Sequence, residues 1–278
     1  MNVADRQRPA PGELFLDHLA HFVADLDAAA RVFASLGMKV TPVSVHKTPS
    51  GPVGTSNRCV MFEEGYLELL SPTHDTPAAG RVRALMQRYD GVHLVCYGTP
   101  DAEGEQRRLQ AHGFEPPPVD TFERAVDGGM ARFKTARAAP EKMPEGRIQY
   151  VEQLTPEQVW RPADVNPLAL EEVFVVGNDP IATAARWARF SALVPRPEDD
   201  GVRLETARGR IFIGTRETLA KLLGDAPPAP AIAGYSLRAS HPEKLAARCT
   251  AAGISVRKSG ARYAAKLPAA VGGVLVFG

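Results

Sequence analysis

Cysteine is scarce in this chain of 278 residues: Cys59, Cys96 and Cys249 are an odd number, widely spaced, with no CxxC pair. A disulfide framework and a cysteine-based zinc finger are therefore excluded, and reduced thiols in a cytoplasmic protein are expected. Charge of one sign is also missing, since 33 basic residues balance 32 acidic ones. That balance, with basic residues spread along the chain, argues against a nucleic-acid or membrane-surface partner held by bulk charge. No apolar run approaches the roughly 18 residues of a membrane span. The opening MNVADRQRPAPG is polar, so a secretory signal is not expected and 1–13 reads as a disordered tail. Neither GxGxxG after a strand, nor a Walker loop, nor a GxSxG elbow occurs.

What the chain does have is repetition. From Leu16, LDHLAHFVADLDAAARVFASLGM opens as a strand with His18, Ala20 and Phe22 on one face. Asp25 then offers an N-cap, Leu26, Ala29, Ala30, Phe33 and Leu36 follow at helical spacing, and Gly37 stops the helix. Strand-like runs follow at Lys39–Val45, Asn57–Phe62 and Tyr66–Leu70. The same order recurs from Gly91, with Thr99-Pro100 opening the helix and Ile148–Leu154 as the last strand. It recurs from Leu170, where Asp179-Pro180 opens the helix, and again from Ala233. Pro-bearing stretches at 157–168 and 225–231 read as linkers.

The expected fold class is therefore α+β: four βαβββ units arranged as two pairs. The first domain is placed at 14–160 (units 14–72 and 91–156) and the second at 165–278 (units 168–216 and 232–278). Two curled sheets facing each other would close a cup for a small-molecule substrate.

Aligning the first two units brings His18 onto His93, and GYLELLSP onto IQYVEQLTP, so that Tyr66 meets Tyr150 and Glu68 meets Glu152. If the units face each other about a pseudo-twofold, His18, Glu68, His93 and Glu152 converge as a nitrogen and oxygen donor set. A divalent metal (Zn, Ni, Fe, Co or Mn) suits that chemistry. Parity puts His21 on the opposite face. His46, Thr55 and Asn57 are read as substrate-binding residues bordering the cup, against a turn-forming role for GPVGTSN. Arg124 and Arg132 could hold an acidic substrate group or form a solvated sheet edge.

These residues resemble the vicinal oxygen chelate superfamily, which includes glyoxalase I, bleomycin resistance proteins and extradiol dioxygenases. LDHLAHFVADLDAAARVFASLG and HKTPSGPVGTSNRCVMFEEGYLELL are most similar to the bacterial glyoxalase-like domain family. The resemblance implies metal ligands at His18, Glu68, His93 and Glu152, with Glu152 or Glu68 as catalytic base. It implies an isomerase or lyase working through a metal-stabilised enediolate or alkoxide. Two alternatives accompany it: an iron(II) dioxygenase using His18, His93 and Glu152, or a metal-free binding protein. In the second pair Glu172, Phe212, Tyr235 and Val276 stand where the donors stood, so that pair is expected to be structural, a lid or a dimer surface, and a homodimer is compatible with the pattern.

Overall fold

The computed structural model describes residues 3–49, 51–126 and 128–278. Four βαβββ units follow one another. The first comprises β1 (Phe15–Phe22), α1 (Leu26–Ser35), β2 (Ser44–Thr48), β3 (Gly51–Glu64) and β4 (Tyr66–Pro72). A connecting helix, α2 (Pro77–Met86), leads to β5 (Gly91–Gly98), α3 (Ala102–Ala111), β6 (Asp120–Val126), β7 (Gly129–Arg137) and β8 (Arg147–Gln153). After the single turn α4 (Pro156–Val159) comes the third unit: β9 (Val165–Val176), α5 (Pro180–Ser191), β10 (Pro195–Glu198), β11 (Gly201–Glu205) and β12 (Arg210–Gly214). A further connecting helix, α6 (Arg216–Leu223), precedes β13 (Ala231–Ala239), α7 (Pro242–Ala251), β14 (Val256–Ser259), β15 (Arg262–Lys266) and β16 (Val274–Phe277).

The helices start where short acceptors meet free backbone amides. Asp25 accepts from the amides of Asp27 and Ala28 at 2.8 and 2.9 Å, and Asp179 accepts from Ile181 and Ala182 at 3.0 Å. In the second unit the cap is Asp101, accepting from Gly104, rather than the Thr99-Pro100 pair expected. Gly37 leaves α1 with φ 78°, a turn that a side chain would strain.

In the N-terminal half the strands run β3-β2-β6-β7-β8-β5-β1-β4, and β4 pairs back onto β3. The result is a barrel whose weakest seam is the single Lys47–Glu123 pairing of β2 and β6. The C-terminal half stays open, β12-β9-β13-β16-β15-β14, with β11 and β10 beyond β12, and joins the barrel where β9 runs parallel to β3. The main apolar core lies between the sheets and their helices and spans both halves, from Phe33 and Tyr97 to Trp187, Phe190 and Tyr235. Among the described residues no helix is long and apolar enough to cross a membrane.

Two expectations about connecting segments need correction. Within 3–13, Ala4 and Gln7 are buried, and the Gln7 amide donates to the carbonyls of Val3 and Glu63 at 3.1 and 3.0 Å. A buried amide with both donors satisfied anchors the segment; Met1 and Asn2 lie outside the described residues. The stretch 157–168 likewise carries α4 and the buried Trp160, which packs on Tyr66.

Candidate functional site

The barrel interior is a cavity of about 610 Å3. Its floor follows from strand register, because directly paired residues share a face. One row reads Glu68 on β4, Ala20 on β1, Leu94 on β5 and Arg147 on β8. The next reads Tyr66, His18, Cys96 and Gln149. Helix α2 covers the cup, contributing Arg81, Val82 and Leu85 to its lining.

His18 reaches this face as parity predicts, and its buried ring stacks on Tyr66 with centroids 4.4 Å apart. Its Nδ1 donates to Asp17 Oδ1 at 2.6 Å. Consecutive strand residues normally point to opposite faces, but the pairing of β1 with β5 slips between Leu16 and His18, and the bulge swings Asp17 beside its neighbour. Burial opposes a charge on His18, yet the Cys96 sulfur and the Asp17 carboxylate outweigh it and raise its pKa to about 10. Burial keeps Cys96 a thiol, so the upward direction rests on Asp17.

Glu68 accepts from Asn57 Nδ2 at 2.6 Å, and the same amide meets His46 Nε2 at 3.1 Å. His46 Nδ1 in turn lies 3.1 Å from Thr55 Oγ1. Each of the two Asn57 amide protons thus has an acceptor, and His46 is fixed as the tautomer carrying its proton on Nδ1. Burial, reinforced by Arg124, Arg147 and His18, lowers His46 to about 4, so it is neutral at neutral pH. Burial would raise Glu68, but the surrounding His46, His18, Asn57 and Arg124 hold it below the ordinary carboxylate value. With His46 neutral, the cations that matter are His18 and Arg124. The buried Arg124 joins the same wall from β6. Asn57 Oδ1 is buried without a hydrogen-bond partner among the described residues.

Sequence reading and structure diverge at the other two donors. The β1–β5 register slips a second time, between Ala20 opposite Leu94 and His21 opposite Val92, which leaves His93 as the extra residue. One extra residue exchanges the faces of everything beyond it. The cup-facing residues of β5 are therefore Leu94 and Cys96. His93 turns behind Phe22, where its Nε2 meets the Tyr89 carbonyl at 2.8 Å. On β8 the cup-facing set is Arg147, Gln149 and Val151. Glu152 points outward, accepting from the Ala102 amide at the start of α3 at 3.0 Å. Arg132 is also outside the cup, exposed on β7 and paired with Glu123 at 3.0 Å.

The four expected ligands are thus not brought together, nor is the His18, His93 and Glu152 triad of the dioxygenase alternative. Among the described residues no group of three or more His, Cys, Asp or Glu side chains is placed to hold a metal ion. The donor set does not fit a four-ligand centre: two positions keep His18 and Glu68, while the side across from them presents Leu94 and Gln149. Sequence reasoning missed Asp17, Tyr66, Arg147, Gln149 and the covering helix. The alternate face of RIQYVEQ carried Arg147 and Gln149.

In the C-terminal half the corresponding concavity is filled. Glu172, buried, pairs with Arg210 at 3.0 Å and Arg262 at 3.3 Å, and α6 buries Leu219 and Leu223 against Phe174 and Phe212. His21 sits between the halves, meeting Tyr235 OH and the Val271 carbonyl, each at 3.2 Å.

The model of a glyoxalase-like domain family matches residues 16–191. None of the curated proteins matches the chain. Among solved structures, a hypothetical protein from Staphylococcus aureus superposes with TM-score 0.70 at 15% identity, covering 95% of this chain and 99% of that one. A triple mutant of 4-hydroxymandelate synthase from Streptomyces coelicolor gives 0.55 at 14%, over 94% and 92% of the two chains. An Mn(II)-bound glyoxalase from Novosphingobium aromaticivorans gives 0.54 at 10%, over 94% and 80%. At these identities the likeness is one of fold.

Proposed function

The chain belongs to the glyoxalase-like domain family, and on that premise we propose that its N-terminal cup is an active site that moves a proton between adjacent carbons of a small α-hydroxycarbonyl compound. The supporting observation is the pairing in one cavity of an ionised carboxylate, Glu68, with two cations, protonated His18 and Arg124. Glu68 takes the proton from the carbon bearing the hydroxyl. The C–H electron pair becomes the C=C bond of an enediolate, and the negative charge develops on the former carbonyl oxygen. His18 and Arg124 supply the positive charge that this oxygen needs. The C=C pair then takes the proton back from Glu68 at the former carbonyl carbon, while His18 gives its proton to the oxygen on that carbon and accepts the proton of the original hydroxyl, whose oxygen becomes the new carbonyl. These steps are written without a metal, because the wall opposite His18 and Glu68 offers a leucine and an amide, Leu94 and Gln149, rather than further ligating groups.

Asn57 keeps the Glu68 carboxylate aimed at the cavity, and the neutral His46 receives the second amide proton.

The test is exchange of the carbon-bound protons of hydroxypyruvate and dihydroxyacetone phosphate in D2O, followed by NMR. Wild-type protein should catalyse exchange. Glu68→Gln should lower the rate at least about 100-fold, in the range expected for loss of a general base, while retaining ligand. Ligand binding with no exchange by the wild type would overturn this reading in favour of a binding protein.

A further inference from the structure

The end of the cup away from Glu68 is rich in positive charge and poor in carboxylates. Arg147 occupies the β8 end of the row that begins at Glu68, three strands away. At roughly 4.8 Å per strand, the two backbones stand about 14 Å apart along the sheet, less its curvature. The Arg147 guanidinium donates to Gln149 Oε1 at 2.8 Å, and among the described residues no carboxylate is paired with it. Its neighbours are themselves cations: Arg137 on β7, and Arg81 reaching over from α2. Asp120 is engaged by Arg137 at 2.5 Å. Arg81 has no ion pair among the described residues, whereas Arg83 on the same helix is neutralised by Asp75 at 2.9 Å. Five arginines line the cavity against two carboxylates, Glu68 and Asp120.

Holding a desolvated guanidinium beside two others is unfavourable unless an anion completes the group. Burial, followed by repulsion from Arg137 and more weakly from Arg81, pulls Arg147 down to about 10 in spite of the opposing attraction of Glu68 across the cup. Five N–H donors in a planar fork fit the paired oxygens of a carboxylate or phosphate. The apolar wall between the two ends, formed by Leu94 and Val151, has room for a short carbon chain.

We infer that the molecule held by this cup carries an oxyanion at the end remote from the reacting carbon, and that Arg147 and Arg81 receive it. The inference rests on the reading of the cup as a substrate site, and it adds the substrate class: an α-hydroxycarbonyl compound with a terminal carboxylate or phosphate. Arg81 lies on the covering helix, so an anion bound between it and Arg147 would also tie α2 to the barrel.

Isothermal titration of the full chain with dihydroxyacetone phosphate, hydroxypyruvate and uncharged dihydroxyacetone tests this. Both anions should bind, and dihydroxyacetone should bind at least about 30-fold more weakly. Tighter binding of the phosphate or of the carboxylate identifies the group preferred. Arg147→Gln and Arg81→Ala should each weaken the anions about 10- to 100-fold and leave dihydroxyacetone unchanged. Arg81 is exposed on a helix, so its variant folds even if the Arg147 change disturbs the barrel. Equal affinity for charged and neutral compounds, no binding of either anion, or anion affinity unchanged in both variants would overturn the inference. Binding is measured without turnover, so failure of the proton-transfer reading, seen as absent exchange in D2O, would be distinguishable from failure of the anion site.

Discussion

Asp17 and His18 are consecutive on one strand, yet their side chains meet, Asp17 Oδ1 lying 2.6 Å from His18 Nδ1. The bulge that permits this gives the cup a histidine that stays protonated at neutral pH, with its charge anchored from behind. Gln153 Nε2 steadies the carboxylate at 3.2 Å. Replacing Asp17 by Asn removes the main cause of the raised value and leaves burial, which lowers it. His18 in Asp17→Asn should therefore titrate below 6.5, while in the wild type it should stay charged above that value. Histidine NMR against pH reads the difference directly. The sign for stability follows from a folded value above the unfolded one. The contribution is fully present below about pH 6.5 and disappears as pH rises through the raised folded value. The variant should thus be destabilised, relative to wild type, by at least about 2 kcal/mol at pH 6 and by much less above pH 10.

Three other histidines push the opposite way. His21, His46 and His93 are lowered to about 3, 4 and 4, in each by burial first. Each is neutral when folded and takes up a proton near 6.5 when unfolded. Stability therefore falls as pH drops from about 6.5 towards 4, by on the order of 3 kcal/mol for each group at most. Urea unfolding at pH 7.5 and pH 4.5 should show a large loss at the lower pH. His93→Gln should flatten that slope, since an amide does not gain a proton on unfolding. An unchanged slope in His93→Gln would show that His93 is not held neutral.

Metal uptake separates the two halves of the expected ligand set, because they face different ways. Elemental analysis of protein purified without chelator should give well below one equivalent of metal. His93→Ala and Glu152→Ala should leave that figure unaltered, since neither side chain reaches the cup. The double variant Leu94→His, Gln149→Glu places an imidazole and a carboxylate on the wall across from His18 and Glu68. It should take up close to one equivalent of zinc or manganese. Stoichiometric metal in the wild type, lost in His93→Ala, would refute the outward orientation of His93 on β5.

The four-unit plan was legible because periodicity, caps and stops agree: Asp25, Asp179 and Gly37 punctuate helices where their chemistry requires. His18 and Glu68 were legible on the cup face because parity runs unbroken from His18 to Phe22 and along β4, whereas His46, Thr55, Asn57 and Arg124, which also line the cavity, were left open between substrate binding and turn or sheet-edge roles. The second half of the site was not. A bulge at His93 has no sequence signature, and one residue of slippage converts an inward histidine to an outward one. On β8 the Tyr66–Tyr150 match points to Glu152, while the face that meets the cavity carries Arg147 and Gln149. Helix α2 leaves no repeat signal, because connecting segments lie outside the βαβββ unit, and its role depends on where it docks.

Glu145, in the turn between β7 and β8, ties the two halves of the chain together. Its side chain is fully buried, is paired with Arg186 Nη2, and accepts from Trp187 Nε1 at 3.3 Å, both on α5 of the other half. Its backbone carbonyl accepts from Tyr89 OH at 3.3 Å, and that hydroxyl accepts from the Ile232 amide at 3.0 Å. Deleting one partner of a buried ion pair strands the other charge and typically costs about 3–5 kcal/mol. Because the Arg186 side chain keeps 26% of its exposure, Glu145→Ala belongs at the lower end, about 3 kcal/mol. Glu145→Gln, which can still accept from Trp187, should cost less. The surface pair Lys221–Glu217 is the control: both side chains are exposed to solvent, so Lys221→Ala should leave stability essentially unchanged. Urea unfolding of the three variants reads all of this. A loss under about 1 kcal/mol in Glu145→Ala would mean that apolar packing around Trp187 and Phe190, rather than the buried carboxylate, fixes α5 against the barrel.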